Sequence, residues 1–183
     1  MGKEEEEEEE KWFKRGAEVE VSFNEQGFRG SWYTGTVLRT VSRKNNKIFI
    51  EFHTLKADDK KASKPLRQFV DVVDVRPLAP RELSRSFNLS DLVDAFHNDG
   101  WWEGTVTDVI PHHTSNSNNS TSSSSSSSSS TYSVFFRSSR EQLEFPDSDL
   151  RLHREWDHGS WKPPLDPPPP PQPDEQAPPA RLN

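Results

Sequence analysis

The six residues Trp32-Tyr33-Thr34-Gly35-Thr36-Val37 return later in the chain, with two substitutions, as Trp101-Trp102-Glu103-Gly104-Thr105-Val106. A strand-like segment ending in phenylalanine precedes each copy, at Val19-Glu20-Val21-Ser22-Phe23 and at Leu92-Val93-Asp94-Ala95-Phe96. Two further elements follow in the same order, Ile48-Phe49-Ile50-Glu51-Phe52 with Tyr132-Ser133-Val134-Phe135-Phe136, and Asp74-Val75-Arg76 with Asp149-Leu150-Arg151. Four correspondences in one order predict two copies of a single fold.

Each repeated element has the pattern of a half-buried β-strand. Val19, Val21 and Phe23 alternate with polar residues, and Ile48, Ile50 and Phe52 do the same, which is the period-two signature of a strand. The segment at 90–96 begins like a capped helical turn, but the repeat favours a strand there. Several short strands in each copy predict an all-β protein with one small curled barrel per module. The residues assigned to the cores are Phe23, Ile48, Ile50, Phe52, Val134 and Phe136.

The composition divides the chain into segments. Residues 1–10 are rich in glutamate and should stay solvated as an acidic, disordered tail. Residues 11–80 form the first module and residues 85–162 the second, and the proline-rich segment 163–183 is predicted to be disordered. The run of serine, asparagine and threonine at 115–131 is predicted to be a disordered insertion in a loop of the second module, since nothing in it offsets the entropy of ordering.

Several classes of function are disfavoured. The chain has no cysteine, which excludes disulfide scaffolds, thiol nucleophiles and cysteine-ligated zinc. It shows neither a signal peptide at its start nor an apolar run long enough to cross a bilayer, so we expect a soluble intracellular protein without a membrane partner. His112 and His113 lack a third metal ligand, and no glycine loop for phosphate is present. We therefore expect no metal, no cofactor and no catalysis.

The two modules differ in charge. Residues 11–80 carry 14 basic and 8 acidic residues, a net charge of +6, whereas residues 81–162 carry 7 basic and 12 acidic residues, a net charge of −5. An acidic module favours a basic ligand through electrostatic steering. A basic module favours nucleic acid, which is the alternative ligand for this chain.

The chain resembles the plant Agenet family, which belongs to the wider Tudor or Royal grouping. The residues that carry the resemblance are Gly16-Ala17-Glu18-Val19-Glu20-Val21, Gly27-Phe28-Arg29-Gly30-Ser31-Trp32-Tyr33, and Leu150-Arg151-Leu152-His153 with Trp156 and Trp161. The resemblance implies a five-stranded, bent Tudor-like (SH3-like) barrel in each module, with the two modules side by side. It also implies a nuclear protein that reads chromatin by binding methylated lysine on histone tails in an aromatic cage.

An aromatic cage suits methylated lysine because the ligand keeps its charge while losing hydration, and ring faces attract it by about 0.5–2 kcal/mol per contact. A nearby carboxylate favours the lower methylation states, which retain an N–H donor. Neighbouring residues on a strand face opposite sides, so one ring of each Trp-aromatic pair can be buried while the other faces a groove. Core packing is the competing role for every ring. The candidates are Phe28, Trp32, Tyr33, Phe49 and Glu51 in module 1, and Phe96, Asp99, Trp101, Trp102, Tyr132 and Phe135 in module 2.

Two other kinds of binding remain open. Basic residues on two predicted loops of module 1 would hold DNA or RNA by phosphate contacts, with exposed rings stacking on bases. They are Arg39, Arg43, Lys44 and Lys47 on one loop, and Lys56, Lys60, Lys61 and Lys64 on the other. A solvated loop is the competing interpretation of both. A general protein scaffold is the third possibility, with the prolines at 167–171 docking as polyproline II.

Overall fold

The computed structural model describes residues 11–42, 44–58, 63–82, 85–111 and 130–166. The acidic segment 1–10 lies outside the described residues, as do nearly all of the serine-rich insertion and of the proline-rich tail. Among the basic candidates, Arg43, Lys60 and Lys61 also lie outside them. None of the helices in the described part of the chain combines the length and the apolar character needed to cross a membrane.

Module 1 is a five-stranded antiparallel barrel. Its strands are β1 (Glu18–Ser22), β2 (Ser31–Ser42), β3 (Lys47–Lys56), β4 (Pro65–Asp71) and β5 (Val75–Pro77). The strands β1 to β4 pair in sequence order, and β5 returns to pair with β1. A short 3₁₀ turn at Val72–Asp74 leads into β5. Irregular register along β2 lets that long strand bend around the core.

Module 2 repeats the same plan. Its strands are β6 (Leu92–His97), β7 (Gly100–Ile110), β8 (Thr131–Phe136), β9 (Glu141–Pro146) and β10 (Leu150–Leu152). Again β10 returns to pair with the first strand of its module. The predicted pair of all-β barrels is confirmed, and the segment beginning at Leu92 is a strand, not a helix. Thr131, which the predicted insertion included, is the first residue of β8.

The repeated glycine of the Trp-aromatic-x-Gly-Thr-Val pattern has a steric cause. A Cβ atom at Gly35 would lie 2.6 Å from the side chain of Ile50 on β3, and one at Gly104 would lie 2.4 Å from Val134 on β8. Both distances are far shorter than a carbon–carbon contact allows. Each barrel therefore curls tightly only if glycine occupies this position.

Each barrel has its own hydrophobic core, built from alternate strand residues. Five of the six predicted core residues are buried, and Phe23 is partly buried against the first core. Trp102 packs against both cores. The strands β2 and β7 pair through Ser31 with Trp102 and Trp32 with Trp101, so one ten-stranded sheet runs through both barrels.

A short hairpin follows module 2 and returns to module 1. It consists of β11 (Glu155–Asp157) and β12 (Ser160–Lys162). The Trp156 ring meets the Trp12 ring edge-on, with 4.9 Å between the ring centroids. The residues that follow β10 thus help to hold the two modules together.

Candidate aromatic binding site

Three aromatic rings gather where β1 ends and the following loop begins, and we call Phe23, Phe28 and Tyr33 the aromatic site. Their ring centroids lie 5.6 Å apart for Phe23 and Tyr33, 6.2 Å for Phe23 and Phe28, and 6.3 Å for Phe28 and Tyr33. Phe52 packs beneath Phe23 at 5.7 Å and is fully buried. Phe28 is 41% exposed, whereas Tyr33 is 2% exposed. The site therefore has a buried floor and one ring open to solvent.

The loop that carries Phe28 is held by backbone hydrogen bonds. The Phe28 N–H donates to the Glu25 carbonyl, and the Ser31 N–H donates to the Phe28 carbonyl, each at 3.1 Å. Gly27 and Gly30 have φ values of 95° and 81°, a region that favours glycine. The loop conformation is thus built into its sequence, and it presents Phe28 at the barrel end.

Module 2 contributes an acid to this site. The tight turn between β6 and β7 consists of Asn98 and Asp99, and the Thr54 hydroxyl donates to the Asp99 carbonyl at 2.7 Å. A Cβ atom at Gly100 would lie 2.9 Å from Tyr33 Cε1, so the tyrosine ring packs directly on this turn. Burial raises the pKa of the Tyr33 hydroxyl, a hydrogen bond with Ser31 opposes this, and the nearby charge of Asp99 adds to it. The exposed Asp99 therefore lies at the edge of the aromatic site.

The equivalent end of module 2 is a cavity between the modules. The repeat places His97, Trp102 and Phe136 at the positions of Phe23, Tyr33 and Phe52. These three residues line a cavity of about 640 Å³, together with Glu141 and with Arg29 from the loop of module 1. The Trp102 indole N–H donates to the His97 carbonyl at 2.7 Å. The lining of this cavity thus carries one charge of each sign, Arg29 and Glu141, whereas the aromatic site has the acid Asp99 at its edge.

Four buried charged residues join the two modules, and we call Glu20, Arg76, Asp94 and Arg151 the junction quartet. All four side chains are at most 2% exposed. Arg76 Nε donates to Glu20 at 3.0 Å, and Arg151 Nε donates to Asp94 at 3.0 Å. Arg151 also donates to Glu20 of the other module at 3.0 Å, and Arg76 lies 3.6 Å from Asp94. Burial lowers the pKa of Arg76, and the charges of Glu20 and Asp94 oppose that change.

Two of the predicted cage tryptophans pack on this quartet. The Arg76 guanidinium lies over the Trp32 ring at 3.6 Å, and the Arg151 guanidinium lies over the Trp101 ring at 4.2 Å. Both rings already make cation–π contacts within the protein. Trp101 is buried and Trp32 partly buried. Of each predicted pair, Trp32 and Trp101 thus face the junction, and Tyr33 and Trp102 face the barrel ends.

His153 extends the charged junction. Its Nδ1 lies 2.6 Å from Asp94 Oδ1, and its Nε2 lies 3.0 Å from Glu155 Oε1. Burial by itself would lower the pKa of His153, but the hydrogen bond and charge of Asp94 outweigh it and raise the pKa to about 8. Burial would likewise raise the pKa of Asp94, yet the hydrogen bond from His153 and the charge of Arg151 keep it below the usual value. The two groups therefore hold each other in their charged forms.

The other predicted aromatic residues lie away from the aromatic site. Phe49, Glu51 and Phe135 are on the outer faces of β3 and β8, because they alternate with core residues. Tyr132 is 2% exposed, and its hydroxyl accepts a hydrogen bond from the Phe87 N–H at 3.3 Å. Phe96 is 39% exposed and meets the Trp101 ring edge-on. Which of the candidates bind a ligand stays a prediction; Phe28, Tyr33 and Asp99 come together around the aromatic site.

The described basic candidates are spread over module 1. Lys47 pairs with Asp71 at 3.0 Å, and Arg39 lies over the Phe49 ring at 5.5 Å. Lys44, Lys56 and Lys64 are exposed on the two hairpin connections. Among the residues that the structure describes, no group of three or more histidine and acidic side chains is arranged to hold a metal ion.

Sequence analysis missed two features. Phe23 was assigned to the core, although its half-buried ring belongs to the aromatic site. The junction quartet was not predicted. The repeat already matched Arg76 with Arg151, but it set the segment 19–23 against 92–96 and so placed Glu20 opposite Val93. The strand register of the fold shifts this alignment by one residue and matches Glu20 with Asp94.

The two barrels and their shared sheet define a tandem Tudor-like fold. The Agenet domain family model matches residues 16–80, and crystal structures of tandem Agenet domains match both modules. The crystal structure of Arabidopsis thaliana AGDP1 AGD34 has a TM-score of 0.71 and 32% identity, covering 86% of this chain and 94% of that chain. The crystal structure of ADCP1 tandem Agenet domain 3-4 has a TM-score of 0.68 and 30% identity, covering 88% and 95%. This chain belongs to the Agenet family.

Plant proteins of greater length contain similar sequence. The Arabidopsis thaliana protein AGENET DOMAIN (AGD)-CONTAINING P1 is 42% identical over 162 residues, which cover 85% of this chain and 28% of that protein. DUF724 domain-containing protein 6, from the same plant, is 27% identical over 158 residues, covering 85% and 20%. The chain therefore spans less than a third of the length of each of these two relatives.

Proposed function

We propose that this chain is a non-catalytic nuclear reader that binds a basic, lysine-methylated histone tail at the aromatic site. The observation that carries the proposal is the exposed Phe28 ring, held beside Phe23 and Tyr33 with the exposed Asp99 at the edge. An exposed aromatic ring on a hydrogen-bonded loop contributes little to the fold, and its position suits a ligand.

The chemistry of these residues matches methylated lysine. Aromatic ring faces attract a methylammonium group, while an unmodified ammonium loses more hydration on entering the site. The carboxylate of Asp99 supplies a charge partner, and it would accept a hydrogen bond from mono- or dimethyl-lysine. Because the three rings contact one another in the free protein, the ligand must move Phe28 outward. Phe28 lies on the loop at 23–30, and exposed side chains change rotamer rapidly.

The surrounding charge favours a basic peptide. Module 2 is acidic, with a net charge of −5 over residues 81–162, and it supplies Asp99 to the site. Arginine and lysine residues that flank a methylated lysine would be steered toward this surface. In this proposal the site draws on both modules, since module 1 provides the rings and module 2 the acid.

Binding of the full chain to histone-tail peptides tests the proposal. Each peptide would be compared without modification and with one, two or three methyl groups on a single lysine. We expect one methylated form to bind more tightly than its unmodified counterpart. Phe28→Ala should remove that preference by weakening the methylated peptide about 3-fold to 30-fold, the range expected for one cation–π contact.

Phe96→Ala is the matched control, since Phe96 is a ring of similar exposure on module 2. It should leave peptide binding unchanged. Equal affinity for methylated and unmodified peptides would overturn the proposal, as would full methyl preference in Phe28→Ala. A loss confined to Phe96→Ala would instead assign the site to module 2.

A further inference from the structure

A second surface of module 1 carries an exposed and a half-buried phenylalanine that the aromatic site does not use. Arg39, Phe49 and Phe69 are register partners in one row across β2, β3 and β4, and we call them the outer row. The Phe49 and Phe69 rings stack with centroids 4.5 Å apart, and the Arg39 guanidinium lies over Phe49 at 5.5 Å. Phe69 is 48% exposed. The row therefore presents the Phe69 ring to solvent, tilted by 32° against the half-buried Phe49 ring, with the Arg39 cation over Phe49.

The fold itself does not require this row, because module 2 lacks it. The equivalent row across β7, β8 and β9 is Asp108, Ser133 and Glu144, which are also register partners. The same barrel thus forms with small and acidic side chains at these three positions. The exposed Phe69 ring costs solvation free energy that module 2 avoids, so we infer that it serves a ligand, with the half-buried Phe49 ring stacked beside it.

The charges around the outer row indicate the chemistry of that ligand. Lys47 and Arg67 flank the row on the neighbouring register positions, and Lys44 lies on the adjoining turn. The two acids of this face, Asp71 and Glu51, pair with Lys47 and Arg67. Arg39 and Lys44 add two further cations, and the acids Glu25 and Asp74 line a pocket together with Lys47 and Phe69. An arginine placed over a stacked ring pair, with Lys44 and Lys47 close by, suits the phosphates and the aromatic bases of a nucleic-acid strand.

We propose that the outer row binds single-stranded nucleic acid. A base would stack on the exposed face of Phe69, extending its stack with Phe49, while Arg39 and the neighbouring cations contact phosphates. A duplex is a poorer ligand because its base faces are covered by stacking within the helix. The aromatic site and the outer row lie on opposite faces of β3, as its alternation of Phe52 inward and Phe49 outward shows. Phe23 of the aromatic site and Phe69 of the outer row nevertheless line one pocket at the end of β1, so the two proposed sites adjoin there.

The test is fluorescence anisotropy of the full chain with labelled oligothymidine and oligouridine of about 15 nucleotides, with a duplex of the same length as a comparison. We expect the single strands to bind more tightly than the duplex. Raising the salt from about 50 mM to about 200 mM should weaken single-strand binding roughly 20-fold to 50-fold if three or four phosphates are contacted. Phe69→Ser should weaken binding between about 5-fold and 100-fold, the range for loss of one stacked base.

Leu89→Ser is the control, because Leu89 is an exposed apolar residue of module 2, 61% exposed, and it should bind the oligonucleotides like the wild type. Unchanged oligonucleotide affinity in Phe69→Ser, or stronger binding of the duplex, would overturn the inference. Sedimentation velocity of the same variants provides a separate check. A wild-type dimer that Phe69→Ser converts to a monomer, with no oligonucleotide binding, would show that the row contacts a second copy of the chain.

Failure of this inference is distinguishable from failure of the proposed reader function. Phe28→Ala should act on peptide binding and Phe69→Ser on oligonucleotide binding, because Phe28 does not line the pocket that Phe69 shares with Phe23. Each variant should retain the thermal unfolding midpoint of the wild type within a few degrees, since both rings are largely outside the cores.

Discussion

Glu20 of module 1 accepts a hydrogen bond from Arg151 of module 2 across the junction between the barrels, with both side chains almost fully buried. The repeat makes this contact reciprocal, because Asp94 occupies the position of Glu20 in module 2 and lies 3.6 Å from Arg76 of module 1. Each acid therefore faces the arginines of both modules. Buried ion pairs tolerate little displacement, so the quartet holds the aromatic site of module 1 and the Asp99 turn of module 2 in a defined relation.

Arg151→Met should destabilise the protein by about 3–5 kcal/mol, because it leaves the buried charges of Glu20 and Asp94 without a full set of partners. Urea unfolding followed by tryptophan fluorescence measures the change. The control is Arg67→Met, which removes a surface arginine that is 60% exposed and paired with Glu51, and it should cost less than about 1 kcal/mol. Equal costs for the two variants would show that the quartet does not stabilise the junction.

The stability of the fold should fall between neutral and alkaline pH. The folded-state pKa of His153 is about 8, above its ordinary value of 6.5. Its contribution is therefore complete below pH 6.5 and is lost as the pH rises through about 8. The loss should be at most about 2 kcal/mol, measured as the unfolding free energy at several pH values. His153→Gln should flatten this part of the profile, whereas His158→Gln, at a residue 86% exposed, should not. A profile that is unaltered in His153→Gln would contradict the assignment.

Asp99→Asn should weaken binding of methylated peptides about 3-fold to 10-fold, and mono- and dimethyl-lysine more than trimethyl-lysine. The carboxylate attracts every form, but only the lower methylation states donate a hydrogen bond to it. Titration calorimetry with the three methylated peptides provides the measurement. Glu144→Gln removes an acid from the outer face of module 2 and should leave these affinities unchanged. Equal losses for all methylation states would show that Asp99 acts through charge alone.

Gly100→Ala should destabilise the protein by about 1–3 kcal/mol, the usual cost of overpacking. The added methyl group would lie 2.9 Å from Tyr33 Cε1, and the ring must move to avoid it. Thermal unfolding measures the effect, and peptide affinity should fall with it because Tyr33 belongs to the aromatic site. In a Tyr33→Ala background the same substitution should cost much less, since the clash is gone. An equal cost in both backgrounds would show that the contact with Tyr33 is not the cause.

The strands and the two barrels follow from local sequence patterns. Alternation at Ile48, Ile50 and Phe52 places those side chains on one face wherever the strand lies. The second copy of each element supported every assignment, including the strand at Leu92, where the local residues alone resembled a helix start. The repeated glycines at 35 and 104 also mark positions where neighbouring strands meet closely, although their contacts with Ile50 and Val134 became visible only in the fold.

The candidate site was less predictable. Trp32 and Tyr33 are adjacent and equally plausible as cage residues from their sequence. Strand geometry places them on opposite faces, but only the packing of module 2 decides that Trp32 meets Arg76 and that Tyr33 meets the turn at Gly100. Phe69 could not be predicted as part of a surface, because a single phenylalanine in a polar segment has no periodic signal. Its pairing with Phe49 depends on the register of β3 and β4.

By itself, the sequence determined the class of fold, the duplication and the opposite charges of the modules, because each depends on the order and periodicity of neighbouring residues. Tertiary structure alone decided which rings converge, which arginines are buried and where module 2 supplies an acid to module 1. These relations join residues up to 131 positions apart, as in Glu20 and Arg151. Contacts of that range depend on how two complete barrels pack against each other, and no local pattern encodes that geometry.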